Sequence, residues 1–121
     1  MATRSAWAPE RRDIIWIEFN PQAGREMKNM HPMLVLSPKT FNERTGLVVG
    51  LPMTSAAYND TNPFAIKFTG PKGVASYVLA HQPKSFDWRQ RKAKPHPWKQ
   101  ATPAVMAESC QTLEQIISIG N

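Results

Sequence analysis

The chain has 121 residues, 41% hydrophobic and 20% charged, with a single cysteine. That length holds one domain around one core. No stretch nears the roughly 20 apolar residues of a membrane span, the opening residues lack the apolar run of a secretory leader, and Cys110 alone cannot close an intramolecular disulfide, which fits a cytoplasmic protein. Lys and Arg outnumber Asp and Glu by 15 to 9, a net charge of +6 that suits an anionic partner.

Residues 1–121 read as one domain whose first 11 residues are flexible. "DIIWIEF" (Asp13 to Phe19) is rich in β-branched and aromatic residues, as a strand buried on both faces requires. Asn20 and Pro21 end it, and Pro21 to His31, with Gly24 and mixed charge, reads as a long loop. "MLVLS" (Met33 to Ser37) is the second strand. "KTFNERTG" is a helical turn or compact loop closed by Gly46, and "LVVGLPMT" (Leu47 to Thr54) the third strand, with Pro52 expected at an edge or bulge because it cannot donate to a ladder. Turn chemistry in "SAAYNDTNP" precedes "FAIKF", whose alternation marks a half-buried strand, and "TGPKG" leads into "VASYVLAH". "KSFDWRQRKAKPHPWKQ" starts as a strand, while Pro95 and Pro97 limit the remainder to short or edge pairing. Thr102 caps a helix beginning at Pro103, whose apolar stripe Met106, Cys110, Leu113 and Ile117 runs to a stop at Gly120. Short strands with close turns and one terminal helix indicate a mainly β fold, a small bent sheet or partly open barrel.

The charge is concentrated. Lys84, Arg89, Arg91, Lys92, Lys94 and Lys99 face only Asp87 between positions 84 and 99, a local net of +5 interleaved with Phe86, Trp88 and Trp98. Cations offset phosphate charge and flat rings stack on bases, so the segment suits single-stranded nucleic acid; a solvated face that keeps the chain soluble is the competing explanation. The sequence has no Gly-rich phosphate loop, no paired cysteines with zinc spacing, and no metalloprotease or serine-hydrolase signature. Of the histidines at 31, 81 and 96, the first stands at a strand's entrance and the second at a strand's exit. They converge if those strands are neighbours, and imidazole both takes and gives protons near neutral pH. Local hydrogen bonding is the alternative role for each. The Thr54 hydroxyl is placed to bond either a phosphate oxygen or nearby backbone.

Nearly the whole chain from Asp13 onward resembles the MazF/PemK family of toxin endoribonucleases. The likeness is carried by Asn20, Pro21, Gly24 and Glu26, by Pro32, Val35 to Pro38, Phe41, Asn42, Thr45 and Gly46, and by Pro52, Thr54 and Ser55. Gln82, Lys84, Ser85, Asp87, Trp88, Arg89 and Arg91 complete it. The resemblance implies an SH3-like barrel of the CcdB/Kid/MazF plasmid-toxin type with a C-terminal helix, acting as a homodimer. It implies cleavage of single-stranded RNA by the RNA's own 2′-hydroxyl with no metal or other cofactor, and neutralisation by an acidic antitoxin. Where the family carries Arg before the proline this chain has His31, and where members carry Asp before Gln82 it has His81.

The expected site therefore has His31 and His81 sharing proton transfer beside Thr54. Arg25, Ser55, Gln82, Lys84, Asp87, Arg89 and Arg91 are the expected RNA and phosphate contacts, with Trp16 and Trp88 as groove aromatics. The alternatives are an inactive relative that binds antitoxin or RNA without cutting, and a CcdB-like gyrase poison. The latter's terminal Trp-Gly-Ile is replaced here by "ISIGN".

Overall fold

The computed structural model describes residues 7–19 and 30–118. Among the described residues seven strands and two α-helices follow in chain order: β1 (Asp13–Glu18), β2 (Met30–Val35), α1 (Lys39–Thr45), β3 (Leu47–Thr54), β4 (Ala65–Thr69), β5 (Ala75–Leu79), β6 (Lys84–Asp87), β7 (Lys94–Gln100) and α2 (Pro103–Ile117). Single turns of 3-10 helix at Ala57–Thr61 and Pro71–Gly73 flank β4. All pairings are antiparallel, in the order β4, β5, β3, β2, β1, β7, with β6 also on β3. The sheet curls into a half-barrel.

β1 is buried on both faces. Ile14 joins Leu34, Leu51, Met53, Ile66, Val78 and Leu113 in one core cluster, while Ile15 and Ile17 join Met33, Val35, Val48 and Trp88 in another. The alternation of a strand sends neighbouring residues to opposite sides, so one strand seals two cores.

β3 changes partner along its length. Leu47 to Gly50 pair with β6, Gly50 to Pro52 with β2, and Met53 and Thr54 with β5. Gly50 sits where β2 and β6 close in together, and a Cβ there would lie 2.4 Å from the Leu34 carbonyl oxygen. Pro52 was expected at an edge or bulge; it is buried in this interior strand. Its missing N–H falls in the gap between β6 and β5, where no ladder bond is lost.

α1 is pinned by Asn42, which is fully buried. Its Nδ2 donates to the carbonyls of Pro9 (2.8 Å) and Ser37 (3.0 Å), Oδ1 accepts from the Ser37 hydroxyl (2.6 Å), and its backbone carbonyl accepts from Trp88 Nε1 (2.8 Å). Gly46, at φ 76°, then turns the chain into β3. This clamp orders part of the segment expected to be flexible: Ala8 and Pro9 are buried and Trp7 stands edge-on to Trp88 at 5.9 Å. Residues 1–6 lie outside the described residues.

α2 is capped as expected, the Thr102 hydroxyl accepting from Val105 N–H at 3.2 Å. Its buried face differs from the expected stripe. Ser109 and Leu113 are buried and Val105 and Met106 pack on the core, whereas Cys110 and Ile117 are exposed. The helix needs only this narrow strip to cover the open end of the sheet, so the remaining apolar positions face outward. It ends at Ser118, in the left-handed region at φ 51°, before Gly120, which is outside the described residues.

Replacing Asn42 with alanine leaves the Pro9 and Ser37 carbonyls without their side-chain donor. Urea unfolding of Asn42→Ala is expected to show a loss of about 3 kcal/mol.

Candidate active site

Five strands meet at a cavity of about 330 Å³. β1 contributes Trp16, and β2 contributes His31 and Pro32. The end of β3 supplies Met53, Thr54 and Ser55, the β5 side Val74 and Ser76, and β7 His96 and Trp98. Registration explains the convergence. Trp16 pairs with Pro32 on one side and Lys94 on the other. Between Asp13 and Ile15 the β1–β7 pairing slips: β1 advances from 13 to 15 while β7 runs from 100 back to 95. Residues 96–99 bulge out of the ladder, Lys99 taking φ 66°, and the bulge brings His96 against Trp16 and Trp98 to the same cavity.

One wall is aromatic. The His96 ring lies 4.5 Å from Trp16, tilted by 35°, and stands edge-on to Trp98 at 5.2 Å. His96 is buried, and removal from water pushes its pKa below the ordinary imidazole value. Its Nδ1 accepts the Trp98 backbone N–H at 3.0 Å. The neutral ring therefore carries its proton on Nε2. Trp98 is held from behind by Phe68, edge-on at 6.0 Å, and by Gly70, where a Cβ would meet the indole at 2.4 Å.

The opposite side is polar. His31 is exposed, with its ring 5.2 Å from that of Phe19. It lies within β2 rather than at its entrance, because pairing of β2 with β1 begins at Met30. Thr54 Oγ1 accepts Ala56 N–H at 3.1 Å, keeping its own proton to donate. Ser55 and Ser76 add hydroxyls.

The expected pairing of His31 with His81 is not what the structure shows. The order β5, β3, β2 puts a whole strand between β2, which carries His31, and β5, after whose end His81 follows, and His81 does not line the cavity. Its ring lies 5.9 Å from Phe64, Nε2 is 3.3 Å from Gln82 Nε2, and its buried Nδ1 has no partner among the described residues.

Trp88 is likewise a packing residue and not a groove aromatic. It is 6% exposed, and its indole N–H is spent on Asn42. Arg89 lies over the Trp88 ring at 4.5 Å and reaches the Glu43 carbonyl, while Arg91 lies over Phe86 at 4.1 Å. Arg91 Nη1 donates to the carbonyls of Glu18 and Phe19, bracing the end of β1. Asp87 Oδ1 accepts Gln90 N–H within the β6–β7 turn. Lys84 is half-buried opposite Gly50 on β3, and Gln82 is exposed. None of these lines the cavity, and Arg25 lies outside the described residues. Trp16, His31, Thr54 and Ser55 are the expected residues that it unites.

His96 was given no site role, and Trp98 was named only as an aromatic of the basic segment, because the prolines on either side of His96 read as loop. Their i, i+2 spacing in "KPHPWKQ" was the available signal. No group of three or more potential metal ligands occurs among the described residues.

Residues 10–117 match the family described as PemK-like, MazF-like toxin of type II toxin-antitoxin system. Over 91 residues the chain is 37% identical to the endoribonuclease toxin MazF of Escherichia coli K12, covering 74% of this chain and 78% of that protein. It is 33% identical over 88 residues to the endoribonuclease PemK of Escherichia coli, covering 70% and 65%. The crystal structure of MazF from Deinococcus radiodurans (Form-I) superposes with a TM-score of 0.79 at 35% identity, over 94% of this chain and all of that one. A MazE-MazF structure (Form-II) from the same organism gives 0.79 at 30% identity, over 95% of this chain and all of that one.

The depressed His96 pKa carries a sign. Between the folded value and about 6.5 the unfolded chain binds the proton that folded His96 refuses, so the contribution is intact above that range and lost as pH falls through it. Urea unfolding of the native chain is expected to weaken from pH 7.5 to 5.5, and His96→Phe to show a shallower decline.

Proposed function

The chain belongs to the PemK-like, MazF-like family of toxins of type II toxin-antitoxin systems, and from that premise we propose that it is an endoribonuclease cutting single-stranded RNA in the cavity beneath His31. The observation that carries this reading is the meeting of His31, Thr54 and Ser55 in one cavity beside stacked aromatic rings.

In this reaction the 2′-hydroxyl attacks the adjacent phosphorus. The P–O bond to the 5′-oxygen breaks, leaving a 2′,3′-cyclic phosphate and a free 5′-hydroxyl. His31, exposed at the edge of the cavity, accepts the 2′-proton. The hydroxyls of Thr54 and Ser55 donate to the non-bridging oxygens as charge builds there. The departing 5′-oxygen takes its proton from solvent at the open mouth of the cavity. Imidazole replaces the guanidinium that the family carries at this position, and it deprotonates far more readily near neutral pH.

Exposed Lys92, Lys94 and Lys99 supply a cationic approach for the RNA backbone. The same charge suits an acidic antitoxin, which the MazE-MazF complexes of relatives parallel. A homodimer in the cytoplasm completes the reading. Among the described residues no helix is long and apolar enough to cross a membrane.

Purified protein is expected to cleave mixed-sequence single-stranded RNA in a chelator-containing buffer, giving 5′-hydroxyl fragments. His31→Ala should lower the rate by about 10² to 10⁴-fold. Intact RNA under those conditions refutes the reading; cleavage that survives His31→Ala refutes only the assigned base.

A further inference from the structure

The cleavage chemistry leaves the aromatic wall unassigned. His96 is poorly built for moving protons: it is buried, and its Nδ1 is occupied by the Trp98 N–H, so it presents a fixed Nε2–H. A neutral donor of set direction is a recognition group. Trp16 and Trp98 supply ring faces and edges beside it, and the contacts behind Trp98 hold the wall in place before any ligand arrives. The cavity, about 330 Å³, falls at the small end of the range for ligand pockets and fits one nucleotide rather than a folded RNA element.

We infer that this wall is the base-reading subsite of the RNA site: a nucleobase next to the cleaved phosphate packs against Trp16 and Trp98, and His96 Nε2–H donates to an acceptor on its edge. The inference deepens the endoribonuclease reading and rests on it. Because His31 and Thr54 border the same cavity, the base read here belongs to a nucleotide flanking the cut. Stacking supplies affinity that tolerates any base, while a single fixed donor discriminates among edges, preferring a carbonyl oxygen or ring nitrogen over an amino group. His96 is thus a specificity residue and Trp98 an affinity residue.

Mapping fragment ends from a random-sequence RNA at nucleotide resolution tests the first role. The native chain should show a strong base bias at one position beside the cut, and His96→Phe, which keeps a ring but no donor, should flatten that bias about tenfold while leaving bias elsewhere. His96→Asn, which can still take the Trp98 N–H, is the second variant where Phe does not fold. His31→Ala should slow cleavage with the bias intact. Binding tests the second role: a 2′-O-methyl oligonucleotide, which cannot be cleaved, should bind Trp98→Ala about 5- to 100-fold more weakly.

An unchanged cleavage profile in both folded His96 variants, or unchanged affinity in Trp98→Ala, overturns the inference while the nuclease reading stands. If the native chain cuts no RNA, the nuclease reading fails. Binding to 2′-O-methyl oligonucleotides that differ at one base then decides the inference: selectivity lost in the His96 variants supports it, and selectivity absent or retained refutes it.

Discussion

The burial of β1 on both faces is the constraint from which the rest of the molecule is arranged. Ile14 commits one side to the core beneath α2, and Ile15 and Ile17 commit the other to the core around Trp88. A strand so enclosed has little freedom to slide, since a slip of one residue exchanges its two faces. Its register fixes what lies beside Trp16, with β2 bringing His31 and Pro32 on one flank and β7 bringing Lys94 and the displaced His96 and Trp98 on the other. The cavity is a product of core packing, and its geometry is as firm as the hydrophobic burial that sets it.

The positive charge has a division of labour that its total conceals. Arg89 and Arg91 spread their guanidinium groups over Trp88 and Phe86 and donate to backbone carbonyls, so much of their hydrogen-bonding capacity is turned inward. Lysines at 92, 94 and 99 remain at the surface. Planar arginine suits stacking and fixed carbonyls, whereas a mobile ammonium suits a phosphate chain whose position varies. The segment that looks uniformly basic in sequence is part scaffold and part exposed charge.

Much of the fold was legible because its signals are local. The β-branched run of β1, the alternation of β4, the Gly46 stop and the Thr102 cap each state their structure within a few residues. The site was legible only in part, since convergence depends on strand order. His31 is the second residue of β2 and His81 follows the end of β5, yet the insertion of β3 between those strands separates them, and nothing within either segment reports that. Trp88 and Trp98 are alike in the sequence, each an aromatic among cations. One is drawn inward by the Asn42 carbonyl, and the other is carried to the cavity by a slipped ladder. Pro95 and Pro97 hid that slip by imitating a loop.

The indole of Trp98 is a partition as well as a wall. Behind it, Phe68, Gly70 and Ala101 border a second hollow of about 220 Å³, so the same ring closes two chambers. A small apolar compound wedged into the rear chamber would press the indole forward and narrow the front one. A bulkier residue at position 70 would press on the same indole from within the chain.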